Sequence, residues 1–302
     1  MKKVRAWISA ARLRTLPLSV SGIFVGTAIA NSKGFSDGYI FIGCLLITIL
    51  FQITSNFAND YGDGVKGTDD DDRLGPVRAF QSGILGQTEL KFGIFVSAFI
   101  SLVLSIILLG YVFGNESVQY MIAFLILSLL SIWAAIKYTV GNSAYGYRGL
   151  GDVFVFLFFG LLAVLGTAFL YTQNVSILDF LPATAVGLLC VGVLNLNNLR
   201  DMVSDEKHGK ITLVVKLGFN RGKQYHVFLL TLSLVLFLAY YLFTQDRWSM
   251  GLTLLPYIVI FIHGRKVIRI QDPKKLDPEL KKLALATFAI SVLLYVAINY
   301  FL

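Results

Sequence analysis

The chain has 302 residues, 56% hydrophobic and only 15% charged, whereas ordinary globular proteins are about 25% charged. This balance excludes a disordered chain and a nucleic-acid-binding domain with a solvated surface, and it predicts an integral membrane protein. The net charge of +8 therefore has to be read by position along the chain. Cys44 and Cys190 each sit inside an apolar run and make neither a disulfide framework nor a metal site.

A membrane-crossing helix needs about 20 mostly apolar residues. In chain order such stretches fall at 16–32, 39–58, 92–113, 118–137, 150–171, 177–196, 225–244, 248–263 and 283–301. The first follows Arg12 and Arg14 without a small-residue cleavage pattern, and it reads as a retained span. The eighth is short and carries Pro256. With nine spans, 24 of the 26 Lys and Arg lie in 1–15, 59–91, 137–149, 197–224 and 264–282, leaving only Lys33 and Arg247 on the other side. The positive-inside rule then predicts a cytoplasmic N-terminus and an external C-terminus. Topology does not require acids, yet Asp and Glu concentrate in the loops 59–91 and 197–224.

The end of the second span reads Asn56-Phe-Ala-Asn59-Asp60-Tyr61-Gly-Asp63-Gly-Val-Lys66-Gly67, and the end of the sixth reads Asn195-Leu-Asn197-Asn198-Leu-Arg200-Asp201-Met-Val-Ser-Asp205. Shifting the first by about 138 residues registers Asn59 on Asn197, Asp63 on Asp201 and Gly67 on Asp205, the pattern of a parallel internal repeat. On a helix, Asn56, Asn59, Asp60 and Asp63 share one face, and Asn197, Asp201 and Asp205 form an i, i+4, i+8 stripe. Facing stripes of carboxylate and amide oxygens repel unless a cation lies between them. Such donors suit Mg²⁺, which keeps open positions for water and phosphate. Polar stripes of this kind inside an apolar helix are costly and mark function. Lys66, Arg73 and Arg78 follow the first motif, and Arg200, Lys207 and Lys210 lie in or after the second. Acids for a metal beside cations for oxyanions match the needs of a diphosphate. The run Asp69–Asp72 reads as a solvated loop. Between spans four and five, Lys137-Tyr138-Thr-Val-Gly-Asn142-Ser-Ala-Tyr145-Gly-Tyr147-Arg148 predicts a shaped polar surface whose aromatic faces could stabilise a carbocation. Alternatively, these tyrosines form an interfacial aromatic belt.

These motifs resemble the UbiA superfamily of intramembrane prenyltransferases. The likeness rests on Asn59-Asp60-x-x-Asp63, Asp201-x-x-x-Asp205, Ala11-Arg12-Leu-Arg-Thr15-Leu16-Pro17, Asp72-Arg73-Leu-Gly75-Pro76, Tyr138-Thr139-Val140-Gly141-Asn142 and Asn198-Leu199-Arg200-Asp201. It extends over essentially the whole chain and is strongest to the branch of menaquinone synthesis that acts on 1,4-dihydroxy-2-naphthoate. Two positions depart from the general pattern: Gly67 replaces the last Asp of the first motif, and Asn142 replaces the Lys of a Tyr-x-x-x-Lys element.

The resemblance implies an all-α, nine-helix bundle over residues 1–302, built from two parallel four-helix pseudo-repeats plus one helix, in the cell membrane with its site near the cytoplasmic face. It implies transfer of a polyprenyl group from a polyprenyl diphosphate to 1,4-dihydroxy-2-naphthoate, with decarboxylation, to give demethylmenaquinone and diphosphate. Membrane lipid is the expected surrounding and no nucleic acid partner is expected. Asn56, Asn59, Asp60, Asp63, Asn197, Asp201 and Asp205 would hold Mg²⁺, with Asp60, Asp63, Asp201, Asp205 and Tyr138 catalytic. Lys66, Arg73, Arg78, Arg148, Arg200, Lys207 and Lys210 would contact the diphosphate, and Tyr61, Asn142, Tyr145 and Tyr147 the aromatic or prenyl groups. Other UbiA acceptors, such as 4-hydroxybenzoate or homogentisate, are the nearest alternative. A cation-coupled transporter is a more distant one.

Overall fold

The computed structural model describes residues 2–68, 74, 78–244 and 247–301, the side chains of 247–249 and 301 excepted. Among the described residues every regular element is helical. In chain order they are α1 (Lys2–Ala11), α2 (Leu16–Ser32), α3 (Gly38–Lys66), α4 (Gln87–Phe113), α5 (Val118–Lys137), α6 (Gly151–Val155), α7 (Thr167–Thr172), α8 (Phe180–Lys207), α9 (Leu213–Leu217), α10 (Phe219–Thr244), α11 (Arg247–Arg269) and α12 (Asp277–Phe301). A π-helical stretch, Phe156–Gly166, joins α6 to α7.

Nine stretches of described helix are long and apolar enough to cross a membrane, in the order the hydropathy pattern predicts. Their ends differ from that reading in an informative way. α3 continues to Lys66 and α8 to Lys207, so both acidic motifs are helical. Apolarity marks where lipid begins and ends, whereas the helix continues as long as its polar side chains find partners in the protein. Pro256 lies inside α11 without ending it. The basic amphipathic helix α1 is an addition to the sequence reading. It ends where Arg12 adopts φ 50°, a left-handed conformation uncommon outside glycine.

The described chain divides into two compact units. The first comprises Met1–Leu16, Ile42–Gly151 and Val203–Thr212. Here Trp7 of α1 packs edge-on against Phe57 of α3, with ring centroids 5.1 Å apart, among buried Ala6, Ala10, Ala11, Leu85 and Leu90. Thr54 and Ser97 share a buried hydrogen bond of 2.8 Å between α3 and α4. Gly62 lets the chain after α5 press onto α3, since a Cβ there would lie 2.6 Å from Thr139 Oγ1 and 2.8 Å from the Thr139 carbonyl carbon. That approach allows Thr139 to donate to the Ala58 carbonyl at 2.9 Å.

The second unit comprises Pro17–Phe41, Asp152–Met202 and Leu213–Leu302. Its core gathers Val25, Ile29, Val164, Val186, Leu189, Leu196, Phe237 and Ile290, among others. Small residues bring backbones close, as in many membrane bundles: a Cβ on Gly160 would fall 2.6 Å from Gly187 Cα. A buried polar chain links α10, α11 and α12. His226 Nε2 lies 2.9 Å from His263 Nε2, His263 Nδ1 lies 2.9 Å from Glu279, and Glu279 accepts from Lys266 and Lys282 at 2.7 and 2.8 Å.

Gly62→Ala is expected to destabilise the detergent-solubilised protein by about 1–3 kcal/mol through overpacking, read as a lowered thermal midpoint. Gly110→Ala, where nothing lies within 4 Å of an added Cβ, should stay within about 1 kcal/mol of wild type.

Candidate active site

The last turns of α3 carry the first motif, and each polar side chain has a distinct engagement. Asn56 is buried; it donates to the Ala11 carbonyl at 2.8 Å and accepts from Gln52 at 3.1 Å. Asn59 Oδ1 accepts from Thr139 Oγ1 at 3.2 Å, while the Asn59 carbonyl accepts from Arg78 at 2.9 Å. Asp60 is buried and accepts the backbone N–H groups of Ala79 and Phe80 at 3.2 and 3.3 Å. It thereby ties the returning chain to α3.

Asp63 is the centre of the arrangement. Its carboxylate is buried, pairs with Arg78 at 2.9 Å and accepts from the Tyr147 hydroxyl at 2.8 Å. Because Tyr147 donates to Asp63, the 2.6 Å contact with Thr68 leaves Thr68 as donor to the phenol oxygen. Lys66 Nζ lies 3.8 Å above the Tyr147 ring, in cation–π geometry. Thr68 reaches this point because Gly67 turns the chain with φ +72°. That conformation suits glycine at a helix C-terminus, and it gives a backbone reason for Gly67 where the family pattern has Asp.

The end of α8 brings part of the second motif to the same unit. Gly209, at φ +70°, reverses the chain so that the Lys210 N–H donates to the Asp205 carbonyl at 2.8 Å. The Lys210 ammonium then pairs with the Asp205 carboxylate at 3.2 Å and sits 5.9 Å from the Tyr147 ring centroid. Burial opposes the Lys210 charge, but the carboxylates of Asp205 and Asp63 outweigh it and hold the ammonium well above the usual lysine range. Burial, with the charge of Asp63 behind it, pushes the Tyr147 phenol up. Tyr147 is therefore a neutral donor at physiological pH. A cleft of about 450 Å³ opens beside these groups, lined by Lys66, Asn142, Tyr147, Arg148, His208 and Gly209, with Ala144. The His208 ring faces it with Nδ1 2.8 Å from the Ser204 carbonyl.

The other predicted residues take different places. Tyr138 and Tyr145 stack edge-on at 5.4 Å, and Tyr145 donates to the Ala134 carbonyl at 2.8 Å. Burial pushes the Tyr145 phenol up, so it stays a neutral packing group that shapes the loop. Tyr61 lies under Lys91, at 5.3 Å. Lys207 is exposed at the end of α8. Arg73 and the run Asp69–Asp72 lie outside the described residues. In the second unit, Arg200 Nε and Nη2 donate to the two Asp201 oxygens at 2.8 and 2.7 Å. Its Nη2 also donates to Asn197 at 2.8 Å, and its Nη1 donates to Asp277 at 2.5 Å. Arg200, predicted to contact diphosphate, is thus turned onto carboxylates of its own unit. Thr68 and Asp277 carry no motif signal in the sequence, and Thr139 stands in a quoted motif without a role assigned to it. Their roles come from a chain reversal, a glycine-permitted approach and a pairing across 77 residues.

The donor set fits Mg²⁺. Asp63 and Asp205 supply buried, hard carboxylate oxygens, and each is already balanced by a cation, as buried carboxylates must be. Among the described residues no three His, Cys, Asp or Glu side chains converge on one point. Mg²⁺ does not need such a cage, since it usually takes one or two carboxylates and completes its shell with water and substrate phosphate.

The sequence model of the UbiA prenyltransferase family matches residues 19–286. The chain is 42% identical over 295 residues to a 1,4-dihydroxy-2-naphthoate octaprenyltransferase of Haemophilus influenzae, covering 97% of this chain and 95% of that protein. It is also 42% identical over 282 residues to the protein of the same name from Escherichia coli, covering 93% and 91%. Among solved structures it is similar to the apo structure of a UbiA homolog from Aeropyrum pernix, with a TM-score of 0.69 at 17% identity over 95% of this chain and 98% of that one. A UbiA homolog from Archaeoglobus fulgidus bound to DMAPP and Mg²⁺ gives 0.65 at 16% identity, over 95% and 99%. With nine apolar helices among the described residues, a shared fold and a family match over residues 19–286, the chain belongs to the UbiA prenyltransferase family.

Proposed function

We propose that this multi-pass membrane enzyme transfers a polyprenyl group from a polyprenyl diphosphate to 1,4-dihydroxy-2-naphthoate, with loss of CO₂, in menaquinone biosynthesis. The observation that carries the chemistry is the assembly Asp63–Tyr147–Lys210–Asp205. In it both acidic motifs contribute a buried carboxylate beside a cationic, aromatic cleft. The acceptor is supported by two relatives that match almost the whole chain and are named 1,4-dihydroxy-2-naphthoate octaprenyltransferase.

Asp63 and Asp205, with Asn59, are assigned to one Mg²⁺, and Asn197 and Asp201 of the second unit to another. Bound Mg²⁺ would neutralise the diphosphate charge that develops as the allylic C–O bond breaks. Arg78 and Lys210 pair with the Asp63 and Asp205 carboxylates, and the Tyr147 hydroxyl fixes the orientation of Asp63. Lys66 and Arg148, both lining the cleft, are assigned to the diphosphate oxygens. The leaving diphosphate takes the C–O electron pair, and a ring carbon of the naphthoate supplies the pair for the new C–C bond. Loss of the carboxyl group as CO₂ restores aromaticity, and air oxidises the resulting quinol to demethylmenaquinone. Apolar surroundings keep water from the allylic cation. The charge asymmetry of the loops, with 24 of 26 basic residues on one side, supports a cell-membrane enzyme with its N-terminus and its site near the cytoplasmic face.

Purified enzyme in detergent, given 1,4-dihydroxy-2-naphthoate and a polyprenyl diphosphate, should form demethylmenaquinone and CO₂ with Mg²⁺ and not after chelation. Turnover of 4-hydroxybenzoate in preference would overturn the acceptor. Asp63→Asn should lower kcat by roughly 10²–10³ while yielding folded protein, and near-normal turnover would remove its metal role. Arg148→Ala should raise KM for the prenyl donor roughly tenfold, the order of one hydrogen bond to a charged group. An unchanged KM would take Arg148 out of the diphosphate site.

A further inference from the structure

Arg200 of α8 is almost wholly buried, with 2% of its side chain exposed, and four of its N–H donors are engaged by Asp201, Asn197 and Asp277. A guanidinium has five donors in a rigid planar fork. The side carrying Nε and Nη2 fixes both oxygens of Asp201 and, through the second Nη2 proton, the Asn197 oxygen. The orientation of that fork is set at its far corner, where Nη1 meets Asp277. Asp277 opens α12 with 41% of its side chain exposed, and the chain on either side of it is anchored. The preceding turn Pro273–Leu276 is capped by Asp272, which accepts from the Lys274 N–H at 3.0 Å. Two residues further on, fully buried Glu279 is locked by His263, Lys266 and Lys282.

We propose that Asp277 is a positioning residue for the second acidic motif: by holding Arg200 from the start of α12, it sets the orientation in which Asn197 and Asp201 offer their oxygens to a divalent cation. Without Asp277 the guanidinium keeps its contacts to Asp201 and Asn197 but loses its anchor at Nη1, so the plane in which it holds both is no longer set from α12. Asp277 also supplies negative charge behind the guanidinium, so that Arg200 does not offset all of the charge of Asp201. The motif keeps net negative charge for a divalent ion. This inference rests on the reading above that Asp201 is a cation ligand.

The test uses the full-length protein in detergent, with Mn²⁺ as the spectroscopic probe in place of Mg²⁺ and no prenyl substrate. An Asp63→Asn background leaves Asn197 and Asp201 among the remaining ligands. In that background, Asp277→Asn should weaken Mn²⁺ binding, read by electron paramagnetic resonance, about 10–100-fold, the usual effect of removing a partner that orients a metal ligand. Asp277→Glu, which keeps the charge, should recover most of that affinity, whereas a purely structural role would not distinguish the two variants by Mn²⁺ affinity per folded molecule. Glu116→Gln, which removes a negative charge from an exposed turn between α4 and α5, should bind Mn²⁺ as the background does. In otherwise wild-type protein, Asp277→Asn should raise the Mg²⁺ concentration needed for half-maximal turnover by a similar factor. If Asp277→Asn does not fold, Arg200→Lys gives the same reading, since lysine keeps the charge but not the fork. Unchanged Mn²⁺ affinity in Asp277→Asn, or in Arg200→Lys if that is the variant read, overturns the proposal, provided Asp201→Asn loses binding. Unchanged affinity in Asp201→Asn overturns the ligand role of Asp201 itself, and this inference with it.

Discussion

The site depends on one constraint: a carboxylate removed from water must be matched by positive charge and hydrogen bonds, or it gives up its charge. Asp63 has Arg78 and the Tyr147 hydroxyl, Asp205 has Lys210, and Asp201 has the Nε and Nη2 side of the Arg200 fork. Each pairing fixes a side chain that would otherwise swing. Preorganisation of this kind is what electrostatic catalysis requires, because the groups need not reorganise as charge develops. Lys66 and Arg148 line the adjoining cleft, so the same side of the first unit offers charge of both signs within a small volume.

Close approach of backbones makes those pairings possible. Gly62 admits Thr139 to the surface of α3, and the loop that follows delivers Tyr147 to Asp63. Gly67 and Gly209 reverse the chain just after α3 and α8, which places Thr68 and Lys210 over the same phenol ring edge and face. In lipid, packing of small residues replaces much of the driving force that apolar burial gives in water, and the Gly160–Gly187 approach in the second unit serves the same end. Glycine thus acts twice: inside helices it permits contact, and at their ends it permits reversal.

Much of the architecture was legible from the apolar runs. Nine stretches emerge from hydropathy in the correct order because each must span the same thickness of hydrocarbon. The apolar runs end before α3 and α8 do, since Asn59, Asp60 and Asp63, and likewise Asn197, Asp201 and Asp205, break the hydropathy while continuing the helix, as their shared faces predict. α1 carries no span signal in the sequence because its ten residues are too few and too basic. Of the residues expected to contact ligand, Lys66, Arg148, Asn142 and Tyr147 do line the cleft, whereas Asp60 and Arg200 are taken up by the protein itself.

The sequence by itself determined nine apolar stretches of membrane-spanning length and two acidic motifs half a chain apart, because hydropathy, charge asymmetry and residue spacing are local properties that survive without knowledge of contacts. Tertiary structure alone decided which cation serves which carboxylate. Arg78 reaches Asp63 across 15 positions, Tyr147 reaches it across 84, and Asp277 reaches Arg200 across 77. No local pattern encodes such distances, since what selects each partner is the need of a buried charge for the nearest opposite charge that packing allows.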